Sequence, residues 1–327
     1  MSFRDIKYCP CTLSEGFNTY SKTGLNRVFQ GKKVHHVLPY DAPTANSETD
    51  DLFEDNRKRL SLSGVQEKFS VLLEKNKLRL THEGERGTYI LKPIPNFGKK
   101  ADQMPANEHL TMQIARQVYG IETAENALIF FKNGESAYIT KRFDVKDDGT
   151  KWAQDDFASL AGKTPQTHGE NYKYQGNYFE LFQLMERHLP AYKLEAPKLL
   201  KVLLFNYLFS NGDAHIKNFS LLETPLGDYR LSPSYDLLNS RIHIEDKDFA
   251  LDDGLLPRHL GQGKISQQFA ILAEQAGISP KIFENIKILL GNRSETVEKM
   301  VAASFLNETT KRHYLQAYQA RLKQLMK

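Results

Sequence analysis

Cysteine is scarce: the 327-residue chain has two, Cys9 and Cys11. A pair one residue apart does not complete a tetrahedral zinc site, and so little cysteine excludes a disulfide-stapled scaffold and suits a reducing compartment. Structural thiols are the expected role. Long apolar runs are also missing. ALIFF and VLLFNYLF fall far short of the roughly 18 consecutive apolar residues of a spanning helix. The N-terminus MSFRDIKYCPC carries charge and no apolar h-region, which argues against a secretory signal. A cytoplasmic protein with no membrane partner is expected. Neither sign of charge dominates: 44 basic and 40 acidic residues leave a net charge of +4, and no basic stripe marks a nucleic-acid surface. Walker A, G-x-G-x-x-G and repeats at a fixed period are all absent.

What remains is an ordinary globular composition, 40% hydrophobic and 26% charged, with mean hydropathy −0.53. One extended domain or two lobes fit this length. The first 60 residues are polar and turn-rich and suggest no chemistry, with DAPTANSETDDLFED reading as an exposed loop or a short acidic helix start. From residue 61 the pattern changes. Alternation at Phe69, Val71 and Leu73, then at Leu78 and Leu80, predicts a hairpin turning near Lys75 and Asn76, and YILK is a short strand ending at Lys92 and stopped by Pro93. A helix is expected over 105–119, opened by Pro105 and closed by Gly120. Strands follow at NALIFF and SAYITKRFD. After about residue 150 the pattern turns helical, at 178–188, 197–210, 266–277 and about 294–327. The expected fold is α+β and two-lobed, with a β-rich lobe over 1–150, a mostly helical lobe over 151–327, and a site between them.

The densest chemistry is NGDAHIKNFS, residues 211–220, directly after the apolar helix. Asp213 precedes Asn218 with the D-x-x-x-x-N spacing of protein-kinase catalytic loops, and a further aspartate, Asp236, follows in SPSYDLL. Magnesium takes oxygen ligands, so an amide oxygen and a carboxylate suit it beside phosphate oxygens and water. The bland alternative is a turn cluster, since Asn, Gly and Asp are common turn residues. Companions argue for the chemical reading. Lys92 ends a strand after a hairpin, where kinases place the lysine that pairs the α- and β-phosphates. The small-residue loop SLSGVQEK precedes that hairpin, and its backbone N–H groups could cradle phosphate oxygens. YITKRFD stands where a kinase hinge would be.

With these blocks in place, the sequence resembles the HipA family of bacterial serine/threonine kinases, the toxins of toxin–antitoxin systems. SLSGVQEK, YILKP, KRFD, NGDAHIKNFS and SYDLL carry the resemblance, from about residue 57 to 245. It implies a HipA/protein-kinase-like fold, ATP with magnesium, and phosphorylation of a cytoplasmic protein, for known members an aminoacyl-tRNA synthetase. By matching position, Asp213 would be the catalytic base, and Asn218 and Asp236 the metal ligands. His215 and Lys217 would contact phosphates or shape the loop. Lys92 would bind the α- and β-phosphates. Ser63, Gly64, Val65, Gln66, Glu67 and Lys68 would lie along the nucleotide, and Lys141, Arg142 and Phe143 would form the hinge.

Ser61 aligns with the family's autophosphorylated serine, whose modification expels the loop from the nucleotide site. Two departures favour HipT, the shortened kinase of three-component systems: roughly 60 residues before the phosphate loop look too few for the usual N-terminal subdomain, and Ser63 replaces a small apolar residue. Ser61 and Ser63 then match the two phosphosites of that subgroup. Its implied partners are a small antitoxin resembling the missing subdomain, a DNA-binding HipB-like protein that links the kinase to DNA only indirectly, and tryptophanyl-tRNA synthetase as the favoured substrate. Glu108 could pair with Lys92 or sit solvated near the helix N-terminus. His109, His243 and His259 are expected to be structural or surface groups. The rival reading is a nucleotide-binding regulator in a repressor complex, without turnover.

Overall fold

A computed structural model describes residues 6–43, 66–146, 148–245 and 247–327. The chain divides into two compact units, Met1–Gln113 with Ala124–Thr150 and Lys299–Lys311, and Ile114–Thr123 with Lys151–Glu298 and Arg312–Lys327. In the first, helix α1 (Lys22–Phe29) precedes strands β1 (Phe69–Glu74), β2 (Lys77–Leu80) and β3 (Tyr89–Lys92), then helix α2 (Met104–Gln117), whose residues from Ile114 on belong to the second unit, and strands β4 (Asn126–Phe130) and β5 (Ser136–Lys141). The strands form an antiparallel sheet in the order β2-β1-β3-β5-β4. Alternation sends Phe69, Val71, Leu78, Leu80, Leu91 and Ile139 into one core. The hairpin turn falls where expected, with Lys75 left-handed at φ 56°.

That core is closed by a segment whose sequence gave no sign of it. Val28 and Phe29 of α1 and both thiols are fully buried against the sheet. The Ser21 hydroxyl caps α1 by accepting from the Gly24 N–H at 3.1 Å. Glycine at 24 has a packing reason, since a Cβ there would come within 2.8 Å of the Cys11 Cβ. Cys9 and Cys11 are unbridged buried thiols, as expected.

The same alternation puts Lys92, Asn126 and Tyr138 on the opposite face, which bonds to α2. There the Gln113 amide donates to Asn126 Oδ1 at 2.9 Å. His109 of α2 is buried and bonds through Nε2 to the Cys11 carbonyl at 3.2 Å, and burial depresses its pKa to about 4. The folded form therefore resists protonation that the unfolded chain accepts near pH 6.5, so His109 costs stability progressively as pH falls from about 6.5 to about 4. His109→Gln is expected to flatten this part of the stability profile in denaturant titrations at stepped pH. An unchanged slope between these values would refute the assignment.

The second unit holds strand β6 (Gln154–Asp156), the short helices α3 (Phe157–Leu160) and α4 (Pro165–His168), helices α5 (Phe179–His188) and α6 (Tyr192–Leu208), strands β7 (Ser220–Glu223) and β8 (Tyr229–Leu231), and helices α7 (Ile265–Gln275) and α8 (Pro280–Gly291). The chain closes with helices α9 (Ser294–Ala303) and α10 (Glu308–Leu325). Three corrections to the sequence reading arise here. Helix α6 starts at Tyr192, ahead of Pro197, which lies inside the helix. The closing segment is two helices, broken at Ser304–Asn307 where the Ser304 hydroxyl bonds back to the Val301 carbonyl at 2.7 Å. A small antiparallel sheet, β6-β7-β8, lies within the helical region. Helix α6 buries residues on every side, from Leu199 to Leu208, as a core helix does. No helix among the described residues is long and apolar enough to cross a membrane.

Candidate functional site

The residues singled out in the sequence fall into two sets, one in each unit. In the first unit, Lys92 ends β3 opposite Tyr138 in the register with β5. Its ammonium lies 2.7 Å from Glu108 Oε1 and 5.4 Å from the centre of the Tyr138 ring. With Lys92 4% and Glu108 2% exposed, this is a dry ion pair, and Glu108 is not a solvated cap. Such a pair fixes a lysine ammonium at a strand end far better than solvent would. Arg142, just past β5, forks onto Asp144 at 3.0 and 2.6 Å, while its backbone N–H donates to Thr88 O at 2.9 Å. Lys141 and Phe143 flank it half-exposed. Gln66, Glu67 and Lys68 are half-buried immediately before β1. Ser61, Ser63, Gly64 and Val65 lie outside the described residues.

In the second unit, the loop after α6 is shaped by backbone contacts. Ser210 takes φ 54°, and the Ser240 hydroxyl braces the turn, donating to Ser210 O at 3.1 Å and accepting from the Gly212 N–H at 2.9 Å. Tyr178 donates to Ala214 O at 2.7 Å. A short 3-10 turn, Ile216–Asn218, follows. Asp236, beyond β8, is left-handed at φ 55°, and its carbonyl accepts from the Asn211 amide at 3.3 Å. Its carboxylate accepts from Asn218 Nδ2 at 3.2 Å. Residues 18 apart in sequence are thus brought together.

That contact leaves the other end of the Asn218 amide distinctive. Oδ1 is buried and has no hydrogen-bond partner among the described residues, a costly state for a buried carbonyl. An amide oxygen lacking a partner beside a carboxylate is the oxygen pair a magnesium ion takes from a protein, so Asn218 and Asp236 fit that ion. A cavity lined in part by Asn206, Asn211, Asn218 and Tyr235 adjoins them.

Asp213 accepts a hydrogen bond from the Tyr174 hydroxyl at 2.9 Å. Burial pushes its carboxyl above the ordinary aspartate value, the Tyr174 bond and the Lys173 charge pull it back, and the Asp236 charge adds to the rise. A carboxyl held above the ordinary aspartate value is, once ionised, a stronger proton acceptor than an ordinary aspartate. His215 packs its ring edge-on to Tyr174, centroids 5.4 Å apart. Lys217 lies 3.8 Å from the Asp156 carboxylate and 3.4 Å from the Tyr172 hydroxyl. Tyr172, Tyr174 and Tyr178 escaped the sequence reading. The aromatic density of NYKYQGNY in a polar stretch was the available sign, but nothing in its spacing says which loop it meets.

The family model for the HipA-like C-terminal domain matches residues 60–303. A Haemophilus influenzae protein bearing a kinase name is 23% identical, over 98% of this chain and 97% of its own length. The serine/threonine-protein kinase toxin HipA of Shewanella oneidensis is 25% identical over 63% of this chain, a match that spans 50% of that protein. HipA as solved in the Shewanella oneidensis MR-1 complex of HipA, HipB and operator DNA superposes with a TM-score of 0.65 at 19% identity, covering 88% of this chain and 74% of that one. The two share a fold, and the chain belongs to the HipA-like C-terminal domain family.

Proposed function

We propose that the protein is an ATP-dependent serine/threonine protein kinase, the toxin of a toxin–antitoxin system. The observation that carries this reading is the Asn218–Asp236 contact, with Asn218 Oδ1 lacking a hydrogen-bond partner among the described residues. In this reading Asn218 and Asp236 hold magnesium, Lys92 engages the α- and β-phosphates of ATP, and the stretch from Ser63 through Gly64, Val65, Gln66 and Glu67 to Lys68 runs along the nucleotide. Lys141, Arg142 and Phe143 serve as the hinge, and His215 and Lys217 support the catalytic loop. Bound magnesium offsets the negative charge of the phosphates. Asp213 takes the proton of a serine or threonine hydroxyl as that oxygen bonds to the γ-phosphorus. The bond from that phosphorus to the oxygen bridging the β-phosphate breaks, and ADP leaves.

Transfer of γ-labelled phosphate from ATP to the chain itself tests the reading. Incorporation on serine is expected, and its absence in protein shown by mass spectrometry to start unphosphorylated overturns it.

Autophosphorylation at Ser61 or Ser63 then silences the enzyme, because a phosphate adds about −1.5 to −2 charge where ATP phosphates must bind. After incubation with ATP, the wild type is expected to lose nucleotide affinity while a Ser61→Ala/Ser63→Ala protein keeps it. Full affinity in verified phosphoprotein would defeat this mechanism. A HipB-like DNA-binding partner is proposed from the composition of the Shewanella complex. A small antitoxin and an aminoacyl-tRNA synthetase substrate, tryptophanyl-tRNA synthetase first, rest on the resemblance to shortened HipT kinases. Phosphoproteomics of cells with and without expression identifies the target.

A further inference from the structure

We propose that Tyr174 is a positioning residue for Asp213: its hydroxyl anchors Oδ1 and so commits Oδ2 to the hydroxyl that is to be deprotonated. This rests on the kinase reading above. The Tyr174 bond to Oδ1 is 2.9 Å long, and no hydrogen bond among the described residues reaches Oδ2. The donor is itself held firmly. The Tyr174 carbonyl accepts from the Asp252 N–H at 2.9 Å, and two residues on, the Gly176 carbonyl accepts from the Asp253 N–H at 3.0 Å. Its aromatic neighbours grip the same loop, Tyr178 at the Ala214 carbonyl, 2.7 Å away, and Tyr172 at the Lys217 ammonium, 3.4 Å away.

Three tyrosines of one short segment thus meet 213–217, and Tyr174 is the one that meets the carboxylate. A base that must accept a proton from one direction gains from having its second oxygen fixed, since small errors of placement cost rate steeply. The groups acting on Asp213 are the Tyr174 hydroxyl, the Lys173 ammonium and the Asp236 carboxylate, with the His215 ring against Tyr174. A donated hydrogen bond favours the ionised carboxylate, so its loss moves the Asp213 titration upward.

The test uses the full chain with Tyr174→Phe, which keeps the ring and deletes the donor. Carboxyl carbon NMR, with the Asp213 resonance identified by its disappearance in Asp213→Asn, is expected to show a midpoint higher by about 0.5–1 pH unit. In the transfer assay, kcat is expected to fall about 10-fold at unchanged KM for ATP, with the acidic limb of the rate profile displaced the same way. An unshifted midpoint, or a shifted one with wild-type kcat, overturns the positioning role. A wild-type protein that transfers no phosphate while its Asp213 resonance still responds to Tyr174→Phe overturns the kinase reading and leaves the anchoring contact standing.

Discussion

Asp213→Asn is expected to lower phosphate transfer by about 10²–10⁴-fold, the usual contribution of a positioned general base, and at the same time to make the folded protein more stable at neutral pH. The second half follows from the sign of the Asp213 shift. Burial raises its folded pKa above the unfolded value of about 3.9. Between those two values the folded state binds more protons than the unfolded state. Stability therefore declines as pH climbs through that window and stays lower above it. Asparagine has no charge to bury and can still accept the Tyr174 hydrogen bond. Denaturant midpoints should accordingly favour the variant at about pH 7 and converge with the wild type near pH 3, below both values. A variant that is inactive and also less stable at neutral pH would mean that the carboxylate is a structural linchpin, and the base assignment would lose its electrostatic support.

Lys92→Met should have the largest effect on stability. It leaves Glu108, 2% exposed, without the ammonium that sits 2.7 Å away, and removing one partner of a buried pair costs about 3–5 kcal/mol. Adding Glu108→Gln to Lys92→Met should recover much of that loss, because the stranded charge goes with it. The coupling between the two positions, read from a double-mutant cycle of denaturant unfolding, should exceed about 1 kcal/mol. Equal losses in single and double variants would show that packing, and not charge, governs the site. In the kinase reading ATP affinity stays lost in the double variant even where stability returns, which separates a phosphate-binding lysine from a purely structural one.

The hairpin of the first unit could be anticipated in the sequence because β1 and β2 are buried mainly on one face and so alternate visibly, Phe69 with Val71 and Leu78 with Leu80, whereas β4 is buried on both faces and reads as a continuous apolar run. The loop around Asp213 announced itself through the spacing to Asn218. The N-terminal layer did not, since KTGLNRVF contributes little apolar surface apart from Leu25, Val28 and Phe29, and its fit depends on cysteines and a glycine chosen for smallness. Strand β6 is QDD, a polar sequence with no alternation to read, and its pairing with β7 is a tertiary contact across more than sixty residues. Tyr174 meets Asp213 across 39 positions. No local rule reports a hydrogen bond of that range, whereas the Lys92–Glu108 pair, 16 apart, could at least be posed as a question.

The left-handed backbone at Asp236 limits how the proposed metal ligand can be dissected. Aspartate and asparagine tolerate that conformation, while other side chains with a Cβ carry a penalty of about 1 kcal/mol or more. Alanine at 236 would therefore confound a missing ligand with a reluctant main chain. Asparagine keeps the conformation and removes only the negative charge, so it is the cleaner instrument for asking how much of any activity depends on that one carboxylate.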